Sequence, residues 1–244
     1  VIEDAALAAG AVADGRPAGA WGDAAIFSFG AGKIIDGSNG GALVTDDAAL
    51  AQAAAPLLDS PPLWDAARAA LERQWLDLYW ALHQHDADQP ALAAIYRPLF
   101  ALYADALMRY RLPRESWRAV AAALADLPDQ QTRRVERADT LDNAFAGSGL
   151  TPIARPAGST IWRYPLLAPQ DRRDDLLRHW WANGLHETTR WYPSLRPMAA
   201  ALAPGIPQPP TPAADRWGAQ IVNLPLDIDP GRAASLAREL LDDA

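Results

Sequence analysis

Short apolar runs bounded by glycine dominate the start of the chain. Val1-Ile2 reads as the end of a strand running into a loop, Ala24-Ala25-Ile26-Phe27-Ser28-Phe29 as a short strand, and Gly41-Ala42-Leu43-Val44-Thr45 as another. The intervening Gly37-Ser38-Asn39-Gly40 contains an Asn-Gly pair, which tolerates positive backbone φ and predicts a hairpin turn. From Asp46 to about Ala144 the period lengthens. Leu71, Trp75, Leu78, Tyr79 and Leu82 recur at helical spacing with charged residues between them, and Pro90, Pro98, Pro113 and Pro128 are expected to divide the region into at least three helices. After Gly147-Ser148-Gly149 the pattern predicts a strand over Ile161 to Leu167 and a helix from Asp171 to Asn183 closed by Gly184. A further strand is expected over His186 to Trp191, and a final amphipathic helix from Asp229 to Asp243, opened by an aspartate and a proline. Pro204 to Pro212 reads as a linker. The class is α/β.

Composition narrows the function. Half of the 244 residues are apolar, enough for a sizeable core in one large or two small domains. A net charge of -8 with no basic stripe argues against nucleic acid as a partner, since phosphate backbones need clustered positive charge. The absence of cysteine rules out disulfides and thiolate metal sites and fits a reducing cytoplasm, the expected location. Of the histidines His83, His85, His179 and His186 only the first two are close, and they read as solvated, so no metal site is expected. No stretch is apolar enough to span a bilayer: Leu63 to Leu82 is broken by Asp65, Arg68, Glu72, Arg73 and Asp77. The ten tryptophans, spaced on helical faces, read as core or subunit interface and not as a stacking platform. Val1-Ile2-Glu3-Asp4 lacks an initiating methionine and opens inside a strand, which reads as a fragment.

One residue stands out chemically. Lys33 is the only lysine; every other residue among the 22 Lys and Arg is arginine. An arginine can supply surface charge, but its guanidinium stays protonated and cannot attack a carbonyl, whereas a lysine amine can form a Schiff base. Asp4 follows one strand and Lys33 the next, so both can occupy one sheet edge, where open α/β sheets bind ligands. A buried carboxylate at that edge can pair with a pyridinium nitrogen and make the ring an electron sink, while Ser28 and nearby glycine amides can receive a phosphate. Asp4, Ser28 and Lys33 together have the make-up of a pyridoxal-phosphate site.

The order Val1-Ile2-Glu3-Asp4-Ala5-Ala6, Gly22-Asp23, Phe27-Ser28-Phe29 leading to Lys33, then Gly40-Gly41-Ala42-Leu43-Val44-Thr45-Asp46, resembles the DegT-type nucleotide-sugar aminotransferases, fold-type-I pyridoxal-phosphate enzymes. Later blocks extend the resemblance: Arg163-Tyr164-Pro165-Leu166, Trp191-Tyr192-Pro193-Ser194-Leu195 and Asn223-Leu224-Pro225-Leu226. It implies that Lys33 carries pyridoxal 5'-phosphate as a Schiff base and then moves protons, that Asp4 pairs with the ring nitrogen, and that Ser28 binds the phosphate. Arg109, in Arg109-Tyr110-Arg111-Leu112, occupies the place from which the family supplies a phosphate ligand across a homodimer interface. Leu7 and Gly30 stand where the family commonly has glutamine and histidine. The implied organisation is the C-terminal part of a cofactor-binding large domain over 1–144, with a helical insertion at about 56–108, followed by a small α/β domain over 145–244. The implied reaction takes an amino group from glutamate to a keto group of a nucleotide-activated sugar, as in polysaccharide biosynthesis. Lysine at the Schiff-base position disfavours the family's sugar dehydratases, which carry histidine there. The alternative reading is a catalytically silent remnant serving as a folding or subunit-interaction module, favoured by Leu7 and by the absence of the segments that precede the Asp4 strand in the family.

Overall fold

The computed structural model describes residues 1–83, 90–192, 196, 199 and 205–242, with side chains of 83–94 left aside. Contacts gather the chain into two interleaved units, one of residues Val1–Arg73, Tyr103–Val135 and Arg155–Trp162, the other of Gln74–Leu102, Glu136–Ala154 and Arg163–Ala244.

The first unit holds a three-stranded sheet. Strand β1 (Ile2–Asp4) runs parallel to β4 (Ala24–Ser28), with Asp4 opposite Ile26, and β5 (Gly41–Val44) lies antiparallel on the other side of β4, with Gly41 opposite Ser28. The crossover from β1 to β4 carries a two-stranded ribbon, β2 (Val12–Ala13) and β3 (Arg16–Pro17), with no counterpart in the sequence reading. Glu3 ties that crossover down: its carboxylate accepts from Gly19 N at 2.8 Å and Trp21 N at 2.9 Å, bonds that hold it below the usual carboxylate range. The core of this unit is Ala9, Phe29, Ile34, Ile35 and Val120. Helix α1 (Ala48–Asp59) is capped by Asp47, whose Oδ1 accepts from Ala49 N and Leu50 N, satisfying amides that the first helical turn leaves unpaired. Helix α4 (Ser116–Ala125) supplies Val120 to the core. Helices α2 (Ala66–His83) and α5 (Leu127–Phe145) each pass from one unit into the other.

In the second unit α3 (Pro90–Leu102) runs into a single π turn, Tyr103–Leu107, closed by Met108 N donating to Tyr103 O at 3.0 Å; the π turn itself belongs to the first unit. The sheet is antiparallel throughout: β6 (Thr151–Pro152), β7 (Tyr164–Leu167) and β8 (Ile221–Leu224), with β7 central. Two helices follow the amphipathic pattern, α6 (Arg173–Ala182) and α8 (Pro230–Asp242), with α7 (Pro212–Gln220) opened by its proline. Trp180, Tyr164, Phe145 and Leu176 are fully buried here, and Trp180 Nε1 still finds an acceptor in Ala233 O at 3.1 Å. Gly184 ends α6 at φ +83°, with Gly184 N donating to Trp181 O and Leu185 N to Trp180 O, a backbone state that a side chain would oppose.

Several expectations are corrected. Asn39-Gly40 does not make a two-residue hairpin. β4 and β5 do pair antiparallel, but Phe29 N bonds Gly40 O at 2.8 Å and Gly37 N bonds Phe29 O at 2.9 Å, closing a longer loop that contains Lys33. Pro98 lies inside α3 instead of ending it. Only the latter part of Ile161–Leu167 is a strand, because Trp162 and Arg163 form a bend. His186–Trp191 contributes just the bridge of Thr189 to Asn223, since Thr188 folds back with its N–H and hydroxyl on Leu185 O. The tryptophan expectation of core or subunit interface is not among these corrections: Trp75, Trp180 and Trp181 are buried, while Trp21, Trp117 and Trp217 are exposed on the single chain. His83 ends α2, whereas His85, Pro193, Ser194, Leu195 and Pro204 lie outside the described residues.

Candidate active site

Parallel pairing of β1 and β4 brings their C-terminal ends to one sheet edge, so Asp4 and Ser28 close strands on the same side and Lys33 follows on the loop beyond β4. That loop is held at both ends and in the middle. Lys33 N donates to Gly30 O at 3.0 Å, and the next two residues, Ile34 and Ile35, are buried in the core, which fixes the lysine backbone. Asp36 stitches the loop from within: its two oxygens accept from Gly32 N at 2.8 Å and Ser38 N at 2.7 Å. Nothing in the sequence reading pointed to Asp36, although an aspartate preceding a Gly-Ser pair is a recognised local turn former.

The Lys33 amine is half-buried. Burial pulls its pKa below the usual lysine range, because the charged form is the one that loses hydration, and the Asp4 carboxylate acts in the opposite direction. The ammonium also lies 5.5 Å from the centre of the Trp162 ring, whose Nε1 donates to Gly32 O at 2.8 Å. Trp162 was not among the residues singled out from sequence; its long separation from Lys33 hides the contact. Asp4 is exposed, not buried as expected, because β1 is the edge strand of the described sheet; its Oδ1 accepts from Ala6 N at 3.0 Å. Ser28 is partly buried, with Gly30 N 3.5 Å from its hydroxyl. Gly30 sits between the serine and the lysine stem: a Cβ there would lie in ordinary contact with Ser28 Oγ at 3.7 Å and Lys33 Cγ at 3.9 Å.

Arg109 is not part of this cluster. It is exposed on the bend after the π turn, beside a cleft of about 570 Å³ whose lining includes Gly40, Gly41, Asp59, Tyr103, Tyr110 and Arg111. Gly41, the register partner of Ser28, connects this cleft to the same sheet. Tyr110 supports the cleft wall, accepting from Gly40 N at 2.8 Å and donating to Asn39 Oδ1 at 3.3 Å. Arg111 is sewn to the segment before α2 through its Nε on Pro61 O at 2.8 Å and its backbone N–H on Pro62 O at 2.9 Å.

In the second unit the three later sequence blocks converge. Asn223 of β8 exchanges backbone bonds with Thr189 and donates from Nδ2 to Trp191 O; Arg163, just before β7, lies 5.3 Å from the centre of the Trp191 ring and donates to Glu187 O. Burial lowers the Arg163 pKa from its usual value. Among the described residues no helix is long and apolar enough to cross a membrane.

Comparison with known proteins adds a family, two relatives and two structures. A family model described as the DegT/DnrJ/EryC1/StrS aminotransferase family matches residues 1–232. A dTDP-3-amino-3,4,6-trideoxy-alpha-D-glucose transaminase of Streptomyces venezuelae is 29% identical over 233 residues, covering 93% of this chain and 51% of that protein. An L-glutamine:scyllo-inosose aminotransferase of Streptomyces griseus is 53% identical over 51 residues, 21% of this chain and 12% of that protein. Among solved structures, the aminotransferase TlmJ of Streptoalloteichus hindustanus superposes with a TM-score of 0.69 at 24% identity, covering 99% of this chain and 58% of that one. PseC of Helicobacter pylori, an aminotransferase of pseudoaminic acid biosynthesis, gives 0.71 at 18% identity over 100% of this chain and 60% of that one. These structural likenesses establish the fold, that of the fold-type-I pyridoxal-phosphate enzymes. The chain spans about half the length of the longer-matching curated relative.

Proposed function

Because the chain belongs to the DegT/DnrJ/EryC1/StrS aminotransferase family, whose cofactor is pyridoxal 5'-phosphate, we propose that the protein transfers an amino group from glutamate to a keto group of a nucleotide-activated sugar, with Lys33 as its catalytic residue. The observation that carries this reading is the grouping of the only lysine with Asp4 and Ser28 at the C-terminal edge of two parallel strands. The residues present suit the cofactor: an amine with depressed pKa, a carboxylate whose charge is felt at that amine, and a strand-end hydroxyl. When bound, the cofactor supplies an electron sink for breaking the bond to the substrate α-proton.

The chain's own groups have distinct tasks. Lys33 would hold the cofactor through Nζ and would carry a proton on that atom; the depressed pKa raises the fraction of neutral amine able to do so. Asp4 would present negative charge to the ring nitrogen, and Ser28 would donate its hydroxyl to the phosphate. Within this reading residues 1–144 are large domain, with 56–108 inserted, and 145–244 are small domain. A silent interaction module is disfavoured by retention of Asp4, Ser28 and Lys33 together. The discriminating experiment supplies glutamate to the intact, cofactor-loaded protein without any sugar: stoichiometric appearance of 2-oxoglutarate is expected, and none would leave the interaction module as the better account.

The functional unit in this reading is a homodimer, in which Arg109 reaches a cofactor phosphate of the partner subunit. Its exposure and its separation from the Lys33 cluster within one chain motivate the assignment. Lys33→Ala and Arg109→Ala, each inactive alone, should recover about a quarter of wild-type activity when mixed and allowed to exchange, since about half the dimers are mixed and each holds one intact site. Full activity of Arg109→Ala alone, or no recovery after verified exchange, contradicts the shared site.

A further inference from the structure

We infer that Trp162 is a positioning residue for Lys33, delivered by the segment Arg155–Trp162 acting as a strap across the first unit; the inference rests on the reading of Lys33 as the cofactor-bearing amine. The ring is held by more than the lysine loop. It packs against the core cluster of Ala9, Phe29, Ile34, Ile35 and Val120, and the strap carrying it is anchored by α5. Gln131 Nε2 bonds Thr160 Oγ1 and Ala9 O, and Arg134 Nη1 bonds Ile161 O at 3.0 Å and Trp162 O at 3.3 Å. From that platform Trp162 reaches the loop in two ways: its Nε1–H holds Gly32 O at 2.8 Å, and its face lies 5.5 Å from Lys33 Nζ.

Each contact has a consequence. Pinning the Gly32 carbonyl fixes the peptide that precedes Lys33, so the direction of the lysine stem is set from a remote part of the chain. The ring's negative face favours the ammonium over the amine and opposes the effect of burial. Asp4 on β1 also favours the ammonium, while the Asp36 carboxylate on the same loop accepts from the Gly32 and Ser38 amides and the Arg134 guanidinium, on the helix behind the strap, donates to strap carbonyls. Trp162 thus helps set the protonation of Lys33 while aiming it.

The single lysine makes this measurable without cofactor or substrate. An amine-reactive acylating reagent, applied to the intact protein across a pH series and read by peptide mass spectrometry, reports Lys33 separately from the terminal amine. In Trp162→Leu, which keeps apolar cover but removes ring and N–H, the labelling midpoint should fall by about half a unit to one unit. In Trp162→Phe, which keeps a ring face, it should fall less. Both variants should lose protection of the Lys33 amide against hydrogen exchange, because its bond to Gly30 O depends on the pinned turn. A Leu-variant midpoint at or above the wild-type value overturns the inference. Should that variant not fold, the Phe variant decides alone, and unchanged amide protection in it overturns the inference equally. If the midpoint shifts as expected but borohydride traps no pyridoxal phosphate on Lys33, the reading of the site fails and the positioning contact stands.

Discussion

Lys33→Ala is expected to lower amino transfer by about 10⁴-fold or more while leaving thermal stability nearly unchanged, since proton transfer and covalent attachment both depend on the lost amine. The stability expectation follows from the loop's construction. Its anchors are Ile34 and Ile35 in the core, the Asp36 carboxylate on two amides, and the Trp162 N–H on a backbone oxygen, none of which uses the lysine side chain. Lys33→Arg separates chemistry from charge: it keeps a cation beside Asp4 and Trp162 but not an amine that can lose its proton, so it should be as inactive as the alanine variant. Turnover with glutamate and a keto sugar, alongside a melting curve, checks both statements. Substantial activity in Lys33→Arg would remove the lysine from the reaction.

Asp4→Asn is expected to slow turnover by about a hundredfold, on the order of 3 kcal/mol on the barrier, because a neutral amide preserves shape but not the charge that holds a ring nitrogen protonated. A second effect follows from the geometry. The Asp4 carboxylate opposes the depression of the Lys33 pKa by burial, so its neutralisation lets that pKa fall further, and the Lys33 labelling midpoint should move to lower pH in the cofactor-free protein. The kinetic and titration readouts are independent. Wild-type turnover in Asp4→Asn shows that the ring nitrogen is served by another group.

Much of the candidate edge was legible in sequence because it is built from contiguous stretches: a strand ending in Asp4, a strand ending in Ser28, and a glycine-bounded loop with one lysine. Parallel pairing does the rest, since it needs only that the two strands be neighbours. The contacts that tune the lysine were hidden for the opposite reason. Trp162 meets Gly32 and Lys33 through a strap far along the chain, and an indole in a bend carries no periodic signal. β8 went unread as a strand because Asn223 interrupts its apolar pattern, and that asparagine is polar because its side chain bonds Trp191 O while its backbone bonds Thr189. His186–Trp191 misled in the reverse sense: its threonines suit a strand, yet their hydrogen bonds make a local turn and a single bridge.

The central assignment, Lys33 as the residue that holds the cofactor, is tested most directly by borohydride reduction of the intact protein in the presence of pyridoxal 5'-phosphate, followed by peptide mapping. With one lysine in the sequence the outcome is unambiguous. The expected result is a stable adduct on the peptide containing Lys33, lost in Lys33→Ala. An unmodified Lys33 in protein that nonetheless catalyses glutamate-dependent amino transfer would contradict it.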